Sequence, residues 1–206
     1  MTDLANFLRR RIALDGPISI ADYMQNALEH PEFGYYIRQD PIGVNGDFIT
    51  APEISQMFGE LVGAFLAYIW SQSGHPANSL LCEFGPGRGT LSADINSALT
   101  QISPQFSCSP LHLIETSTSL RKIQKTTLRK QTVCWHNDFK EIPNRPLFAV
   151  ANEFFDALGV NQAIFDGTSW RHRLLDFDTQ FELVTGPILK NAELEAFNAI
   201  SVKNQD

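Results

Sequence analysis

The feature that most constrains this fold is a short apolar run that leads into three closely spaced glycines. Residues 80–84 read Leu-Leu-Cys-Glu-Phe, and Gly85, Gly87 and Gly89 follow before a stretch of helical character begins at Thr90. Glycine tolerates left-handed backbone and lets a ligand come close to bare main chain. In open α/β sheets, ligands bind at the carboxyl ends of the strands. The order strand, glycine turn, helix therefore predicts a ligand-binding crevice at this turn.

The same rhythm continues along the chain, where short apolar runs alternate with longer stretches of helical pattern. Further strands are predicted at 111–114, 132–135 and 147–151, and helices at 90–102 and 118–130. Strands and helices that alternate at this spacing form βαβ units, in which a parallel sheet carries helices on its faces. We therefore predict an α/β fold of the Rossmann-like type.

The pattern of apolar residues changes near residue 79 and again near residue 160, and these changes predict how the chain is divided. We predict a mostly helical N-terminal region, 1–78, and a partial Rossmann-like domain, 79–206. Within the second region, 160–177 predicts an antiparallel hairpin around a turn glycine. The tail from Pro187 predicts a final helix.

Two helix starts stand out in the N-terminal region. A short helix is predicted to follow a cap at Ser19. A second helix is predicted to begin at Thr50, because a threonine cap, Pro52 in the first turn and Glu53 at the reciprocal position form a capping pattern. The apolar residues that follow at helical spacing are expected to form its buried face: Ile54, Met57, Phe58, Leu61, Val62, Phe65 and Ile69.

Composition argues against several classes of protein. The chain has 206 residues and a formal net charge of −7. An acidic protein repels phosphate backbones, so we expect no nucleic-acid partner. The longest apolar run, 63–70, is too short to cross a bilayer, and no signal-peptide stretch follows the arginines at 9–11. We therefore expect a soluble, cytoplasmic protein.

The three cysteines form no CxxC pair and the five histidines show no HxxxH or HxH spacing, so no metal site is predicted.

Basic residues cluster on the predicted helix 118–130. Their spacing covers one helical face, and a solvated surface is the favoured interpretation. The cluster consists of Arg121, Lys122, Lys125, Arg129 and Lys130.

The glycine turn narrows the class of ligand. A dinucleotide-binding turn has the spacing GxGxxG. Here position 90 is Thr, so the third glycine comes one place early, and Pro86 also departs from that pattern. A nicotinamide oxidoreductase is therefore the weaker hypothesis. An acidic residue two positions before GxGxG suits a nucleoside ligand without a pyrophosphate, and Glu83 could receive the positive amino group of an amino-acid moiety.

Acidic residues also follow the second and third predicted strands. Glu115 stands at the tip of the second strand, where a carboxylate can accept both ribose hydroxyls. Nicotinamide and adenosylmethionine enzymes share that placement. After the third strand, Asp138 could accept from an exocyclic adenine amine while Phe139 packs nearby. A helix-capping role for Asp138 is equally compatible with the sequence.

The fourth predicted strand ends in an amide and two carboxylates, Asn152, Glu153 and Asp156. Parallel strands end at one edge of a sheet, so these side chains are expected at the same crevice as the glycine turn. Carboxylates there can hold a cationic substrate and polarise its nitrogen for attack. The strand ending predicts their position and leaves open the role of each acid.

Three segments taken together resemble a known family. They read GDFITAPEISQMFGE at 46–60, EFGPGRGTL at 83–91 and NEFFDAL at 152–158. In this order they resemble the MidA family of S-adenosylmethionine-dependent methyltransferases, and the resemblance extends from about Leu4 to at least Trp170. Mitochondrial relatives in that family are arginine methyltransferases that assist the assembly of respiratory complex I.

The resemblance implies a class I methyltransferase fold with S-adenosylmethionine as cofactor, and it implies that segment 47–53 lies over the methyl-donor pocket. The predicted cofactor-binding residues are Glu83, Gly85, Gly87, Gly89, Glu115, Asp138, Phe139, Asn152 and Thr50. Glu153 and Asp156 are the predicted catalytic residues, with Glu153 favoured, because carboxylates bind a guanidinium through paired hydrogen bonds. The expected partner is a protein substrate, for which a complex I subunit is a candidate.

The chain also departs from the family pattern. Gly159 stands where the family usually has proline, and family members run well beyond this chain. A class I sheet has seven strands, whereas four parallel strands are predicted here. We therefore expect a fragment or a truncated gene product, with an uncovered strand edge, a hairpin without its natural neighbours, and self-association. The alternative hypothesis is a non-catalytic binding or assembly factor on a truncated methyltransferase fold; the intact glycine turn and Glu115 count against it.

Overall fold

The structure, a computed structural model, describes residues 2–35, 50–107, 110–190 and 192–195. The chain divides into two compact units. One unit is Pro41–Phe155, and the other combines Met1–Asp40 with Asp156–Asp206.

This division differs from the predicted boundary between residues 78 and 79. Helical residues such as Leu66 and Trp70 share a hydrophobic core with the sheet residues Leu81 and Leu111, so they belong with the sheet. The C-terminal segment instead pairs with a short strand near the N-terminus. The two units are defined by tertiary packing, and a change of composition along the chain does not reveal that packing.

The helices in chain order are α1 (Asp3–Asp15), α2 (Ile20–Glu29), α3 (Ala51–Ile54), α4 (Gln56–Gln72), α5 (Thr90–Ile102), α6 (Pro104–Ser107) and α7 (Thr118–Thr127). The strands are β1 (Ile18–Ser19), β2 (Leu80–Phe84), β3 (Leu111–Ile114), β4 (Val133–His136), β5 (Leu147–Ala151), β6 (Gln162–Phe165), β7 (Trp170–Phe177) and β8 (Phe181–Ile188). Short 3₁₀ helices lie at Phe139–Glu141 and Phe155–Ala157.

The unit Pro41–Phe155 is built on a four-stranded sheet of order β4-β3-β2-β5, and all of its pairs are parallel. Phe84, the last residue of β2, lies opposite Ile114 of β3 and Ala151 of β5. The carboxyl ends of the strands therefore meet at one edge. The four predicted parallel strands are confirmed to within one residue.

Helices α4 and α5 pack closely against each other. A Cβ atom on Gly63 of α4 would lie 2.8 Å from the carbonyl oxygen of Ile95 in α5, so only glycine fits this contact. The core of the unit combines these helices with the sheet: Leu66, Ala67, Trp70, Leu81, Leu91, Ile95, Leu99, Phe106, Leu111, Leu113 and Leu128.

The prediction of one helix from Thr50 with an inward apolar face is wrong in two respects. The helix is broken at Ser55, which caps α4, and the Thr50 side chain makes no capping hydrogen bond. Most of the predicted buried face is instead exposed, although Phe58 and Val62 are partly buried against the core. The exposed apolar row consists of Ile54, Met57, Leu61, Phe65 and Tyr68, which are between 58% and 71% exposed.

The reason lies in the small residues of α4. Gly59, Gly63 and Ala67 recur every fourth residue and form the buried face with Leu66 and Trp70. Small side chains let α5 approach closely, and this contact outweighs the burial of the larger apolar row. Because α4 is apolar on both faces, its hydrophobic pattern does not identify the buried one.

The other unit contains an antiparallel sheet centred on β7. One edge of β7 pairs with β6 and, further along, with β1, while β8 pairs along the opposite edge. The predicted hairpin at 160–177 is confirmed as β6 and β7. Helix α1 packs here on a small core of Leu8, Ile12, Ile18, Ile20 and Leu175.

Two predictions for this unit are wrong. The hairpin does not lack neighbours, because β7 has partners on both edges. The predicted helix does not begin at Pro187, because Pro187 lies within β8. In the described part of the tail, only 192–195 is helical. The cap at Ser19 is confirmed: its Oγ accepts the N–H of Asp22 at 2.9 Å. None of the helices in the described ranges is both long and apolar enough to cross a membrane.

Candidate active site

The glycine turn between β2 and α5 has the backbone that its sequence predicts. Gly85, Gly87 and Gly89 have φ angles of +59°, +53° and +82°, all in the left-handed region that favours glycine. A Cβ atom on Gly85 would lie 2.5 Å from the ring of Phe154, so the tip of β5 lies directly beside the turn. The N–H of Gly85 donates to the carbonyl of Ile114 at 3.0 Å, which fixes the turn to β3.

Glu83 lies in β2 just before this turn, and its side chain is 4% exposed. The hydroxyl and the backbone N–H of Ser92, in the first turn of α5, both hydrogen-bond to its carboxylate. Burial raises the pKa of Glu83 to about 7, and the bonds from Ser92 oppose that rise. The carboxylate therefore binds the amino end of α5 from inside the unit.

Glu115 directly follows β3, as predicted, and is 9% exposed. Its Oε1 accepts the N–H of Ser117 at 2.8 Å, and its Oε2 accepts from the side-chain amide of Gln124 at 3.2 Å. Burial raises the pKa of Glu115, while these hydrogen bonds lower it. Each oxygen keeps a further lone pair, so the carboxylate is held in position as a bidentate acceptor.

Gln124 is a site residue that the sequence analysis missed. It lies on α7 with no exposed surface, and its Nε2 also donates to the carbonyl oxygen of Gly87 at 2.8 Å. Its Oε1 accepts from the indole Nε1 of Trp135 at 2.9 Å. A signal was present in the sequence: Gln124 stands between Leu120 and Leu128 at helical spacing, where an apolar residue is expected.

Arg121 lies one turn before Gln124 on α7. It was predicted to lie on a solvated surface, but its side chain is instead hydrogen-bonded within the unit. Its guanidinium donates to the backbone carbonyls of Glu115 and His136 and to Oδ1 of Asn137. It therefore joins the segments that follow β3 and β4. The other four basic residues of the predicted cluster are exposed, as predicted: Lys122, Lys125, Arg129 and Lys130.

Asp138 and Phe139 follow β4, as predicted. Asp138 caps the 3₁₀ helix Phe139–Glu141, since its Oδ1 accepts the N–H of Lys140 at 2.8 Å. Phe139 stacks on Phe84 with ring centroids 5.8 Å apart, and Phe154 packs on the same ring at 5.6 Å. These aromatic rings form an apolar surface at the carboxyl ends of β2, β4 and β5.

The tip of β5 carries the predicted acidic group. Asn152 is half-buried and Glu153 is exposed, and Glu153 has a φ of +47°, which is uncommon for a residue other than glycine. Backbone held in this region is strained, and such residues concentrate at functional sites. Asp156 lies in the following 3₁₀ helix, where the chain enters the other unit.

Thr50 begins the described part of the segment that was predicted to cover the pocket; residues 47–49 lie outside the described residues. The neighbouring Glu53 accepts a hydrogen bond from the hydroxyl of Thr90 at 2.7 Å. This bond joins α3 to the first residue of α5, directly after the glycine turn. Sequence reasoning interpreted Glu53 as part of a capping pattern and did not identify this contact.

Among the residues that the structure describes, no group of three or more His, Cys, Asp or Glu side chains is arranged to hold a metal ion. The buried imidazole of His112 and the partly buried imidazole of His136 pair with each other through Nδ1 and Nε2 at 2.8 Å.

Comparisons with known proteins agree with this architecture. Residues 61–206 match a family model described as "Putative S-adenosyl-L-methionine-dependent methyltransferase". A crystal structure of a "likely methyl transferase" from Burkholderia thailandensis, bound to S-adenosyl-homocysteine, superposes with a TM-score of 0.72 at 28% identity. That match covers 96% of this chain and 53% of the other.

Named relatives show the same relationship. The protein arginine methyltransferase NDUFAF7 of rat mitochondria is 37% identical over 204 residues, which covers 87% of this chain and 47% of the relative. The Xenopus laevis protein of the same name is 38% identical over 201 residues, covering 85% and 46%. The chain thus spans about half the length of the curated relatives it matches.

The chain belongs to this family of S-adenosylmethionine-dependent methyltransferases, and its resemblance to the MidA family is confirmed. The class I methyltransferase fold predicted for the parallel sheet is confirmed as well.

The buried Glu83 predicts a specific dependence of stability on pH. Its folded-state pKa of about 7 lies above the ordinary glutamate value of 4.5, so the folded protein keeps a proton that the unfolded chain has released. Stability is therefore lost as pH rises from about 4.5 to 7. Relative to Glu83→Gln, which stays neutral, the wild type should lose roughly 3 kcal/mol across that window. Urea denaturation of both proteins at several pH values measures the difference; parallel pH profiles would contradict the assignment.

Proposed function

We propose that this chain binds S-adenosylmethionine at the turn between β2 and α5 and contributes the donor site of a protein methyltransferase. The observation that carries the proposal is the joint geometry of the turn and Glu115. Three glycines with positive φ expose backbone at the end of β2, and a buried, hydrogen-bonded carboxylate stands at the end of the adjacent β3. The bound S-adenosyl-homocysteine in the Burkholderia relative supports this proposal.

Each part of the donor has a proposed partner. Gly85, Gly87 and Gly89 bring bare backbone to its amino-acid end, and we assign Glu83 to the amino group of that end, whose positive charge would favour the ionised carboxylate. Glu115 accepts the two ribose hydroxyls. We assign the adenine to the side of the crevice formed by Asp138 and Phe139. We assign Asn152 and Thr50 to the remaining polar contacts of the donor. Support for the adenine side is the aromatic surface at the strand ends, since Phe139 stacks on Phe84.

The proposed acceptor is a protein arginine, as the names of the curated relatives suggest. The methyl group leaves a positively charged sulfur, so the protein must chiefly align donor and acceptor. Guanidinium is a poor nucleophile because its lone pairs are delocalised. Glu153 and Asp156 would bind it through paired hydrogen bonds and localise its charge. The strained backbone of Glu153 favours it as the residue that contacts the reacting nitrogen.

The resemblance to the MidA family extends the proposal to the substrate, for which a respiratory complex I subunit is the candidate. The cytoplasm stays the proposed location of this chain, whereas the animal relatives carry the word mitochondrial in their names.

Donor binding is expected to depend on the turn and on Glu115. Gly87→Val places a branched side chain at a φ of +53° and should abolish binding of S-adenosyl-homocysteine while the far-ultraviolet circular dichroism stays largely unchanged. Glu115→Ala removes the ribose acceptor and should cost about 1.5–3 kcal/mol of binding free energy. Calorimetric titration measures both, with Glu182→Ala as a matched acidic control. Affinity equal to wild type in either variant would overturn its assignment.

Methyl transfer is expected to depend on Glu153 more than on Asp156. Glu153→Gln keeps the size of the side chain and removes its charge, so it should lower transfer from S-adenosylmethionine to an arginine-containing peptide by about 100-fold. Donor affinity should stay at the wild-type value, and Asp156→Asn should have the smaller effect. The assay follows labelled methyl groups on the peptide. A Glu153→Gln chain that transfers methyl at the wild-type rate would exclude Glu153, and a wild type that binds the donor without transfer would favour the binding-factor hypothesis.

We also propose that the chain self-associates through the exposed apolar row of α3 and α4. Five large exposed side chains, Ile54 on α3 and four along one face of α4, can pair with the same surface of a second copy, which makes the surface self-complementary. Sedimentation velocity over a range of concentrations should show dimers, and the double variant L61E/F65E should be a monomer with unchanged fold. Leu14→Glu, at an exposed leucine of α1, is the control and should still dimerise. A wild-type monomer at every concentration would contradict the proposal.

A further inference from the structure

We propose that Gln124 is a positioning residue for the methyl donor: its side-chain amide holds the Glu115 carboxylate and the Gly87 carbonyl in one fixed arrangement. This inference rests on the proposed donor site. Gln124 would not touch the reacting atoms, and it would act through the two groups that it binds.

Gln124 is fully buried, which is unusual for its place on α7. Its side chain has no exposed surface, although it lies on a helix whose neighbouring residues Lys122, Ile123, Lys125 and Thr126 are exposed. A buried amide is costly unless its donors and acceptor are paired. The amide is paired at both ends, since its Nε2 donates to two acceptors and its Oε1 accepts one hydrogen bond.

The side-chain amide of Gln124 has only one orientation that is compatible with its partners. The indole N–H of Trp135 can only donate, so it must face the oxygen of Gln124. The amide nitrogen then faces the Gly87 carbonyl and Glu115 Oε2, which can both only accept when the carboxylate is ionised. Trp135 thereby fixes the direction of the two N–H bonds.

The two acceptors of the Gln124 amide lie in different loops of the proposed donor site. Gly87 lies in the turn after β2, and Glu115 follows β3, so one side chain from α7 connects the two loops that the proposed function assigns to the donor. A donor site whose groups are held before binding loses less free energy to ordering when the ligand arrives. Loss of the amide would leave both loops in place and free the carboxylate to turn.

The charge state of Glu115 gives a readout that packing alone would not change. An N–H bond from Gln124 lowers the pKa of Glu115 against the effect of its burial. The other charged group facing it is Arg121 on α7, which donates to its backbone carbonyl. From β4, the ring of His136 pairs with His112, and from β2 the carboxyl of Glu83 bonds to Ser92. Without the Gln124 amide, Glu115 should take up its proton at higher pH.

The experiment compares Gln124→Met, Trp135→Phe and the wild type by calorimetric titration with S-adenosyl-homocysteine between pH 5 and 8. Gln124→Met keeps the length of the side chain and removes its amide, and we expect about tenfold weaker binding, as for one misplaced charge-assisted bond. The acid limb of its pH profile should move to higher pH. Trp135→Phe removes the N–H that orients the amide, together with part of the indole ring, and should weaken binding by a smaller factor. Ile95→Val, a buried apolar change on α5, is the control for destabilisation and should bind as tightly as the wild type.

A double-mutant cycle separates positioning from structure. In a Glu115→Ala background, Gln124→Met should weaken binding by a smaller factor than in the wild type, because the acceptor it orients is gone. Wild-type affinity and an unshifted pH profile in both Gln124→Met and Trp135→Phe would overturn the inference while leaving the donor site intact. A wild-type chain that does not bind S-adenosyl-homocysteine would overturn the proposed function and this inference together.

Discussion

Parallel pairing of β2 with β3 and β5 is the constraint on which the rest of this structure depends. The register places Phe84 opposite both Ile114 and Ala151, so the segments that follow three strands begin at the same edge of the sheet. Residues far apart in sequence, such as Gly85 and Phe154, come into contact there. A slip of one residue would move every side chain of a strand to the opposite face. The crevice therefore follows from the backbone register, and the glycines and acids only supply its chemistry.

Around this edge, buried polar groups are satisfied by one another. Glu83 binds the start of α5, Glu115 binds the start of α7, and Gln124 joins Glu115 to the glycine turn. Each of these groups would cost free energy if it were buried alone, and together they fix the loops of the candidate site. Arg121 adds a charged donor that joins the ends of β3 and β4. The candidate site is thus supported by polar side chains that are largely buried and hydrogen-bonded.

The sequence predicted the parallel sheet and the glycine turn well, because both depend on local patterns. Strands buried on two faces read as continuous apolar runs, and left-handed turns require glycine. The face of α4 was predicted wrongly because a small-residue row, Gly59–Gly63–Ala67, packs inward in place of the larger side chains. The strand β8 was missed because Pro187 suggested the start of a helix, although edge strands tolerate proline. Gln124 was missed because its partners lie 37 and 9 residues away along the chain, and one sequence does not reveal such pairings.

A competition experiment on the unmodified chain shows whether the edge formed by β2 and β3 is a site for S-adenosylmethionine. Calorimetric titration with S-adenosyl-homocysteine would be carried out alone and then in the presence of S-adenosylmethionine or NADH. We expect saturable binding with one site per chain, displaced by S-adenosylmethionine and unaffected by NADH, since Thr90 replaces the third glycine of a dinucleotide turn. Displacement by NADH, or no heat of binding for S-adenosyl-homocysteine at millimolar concentration, would contradict it.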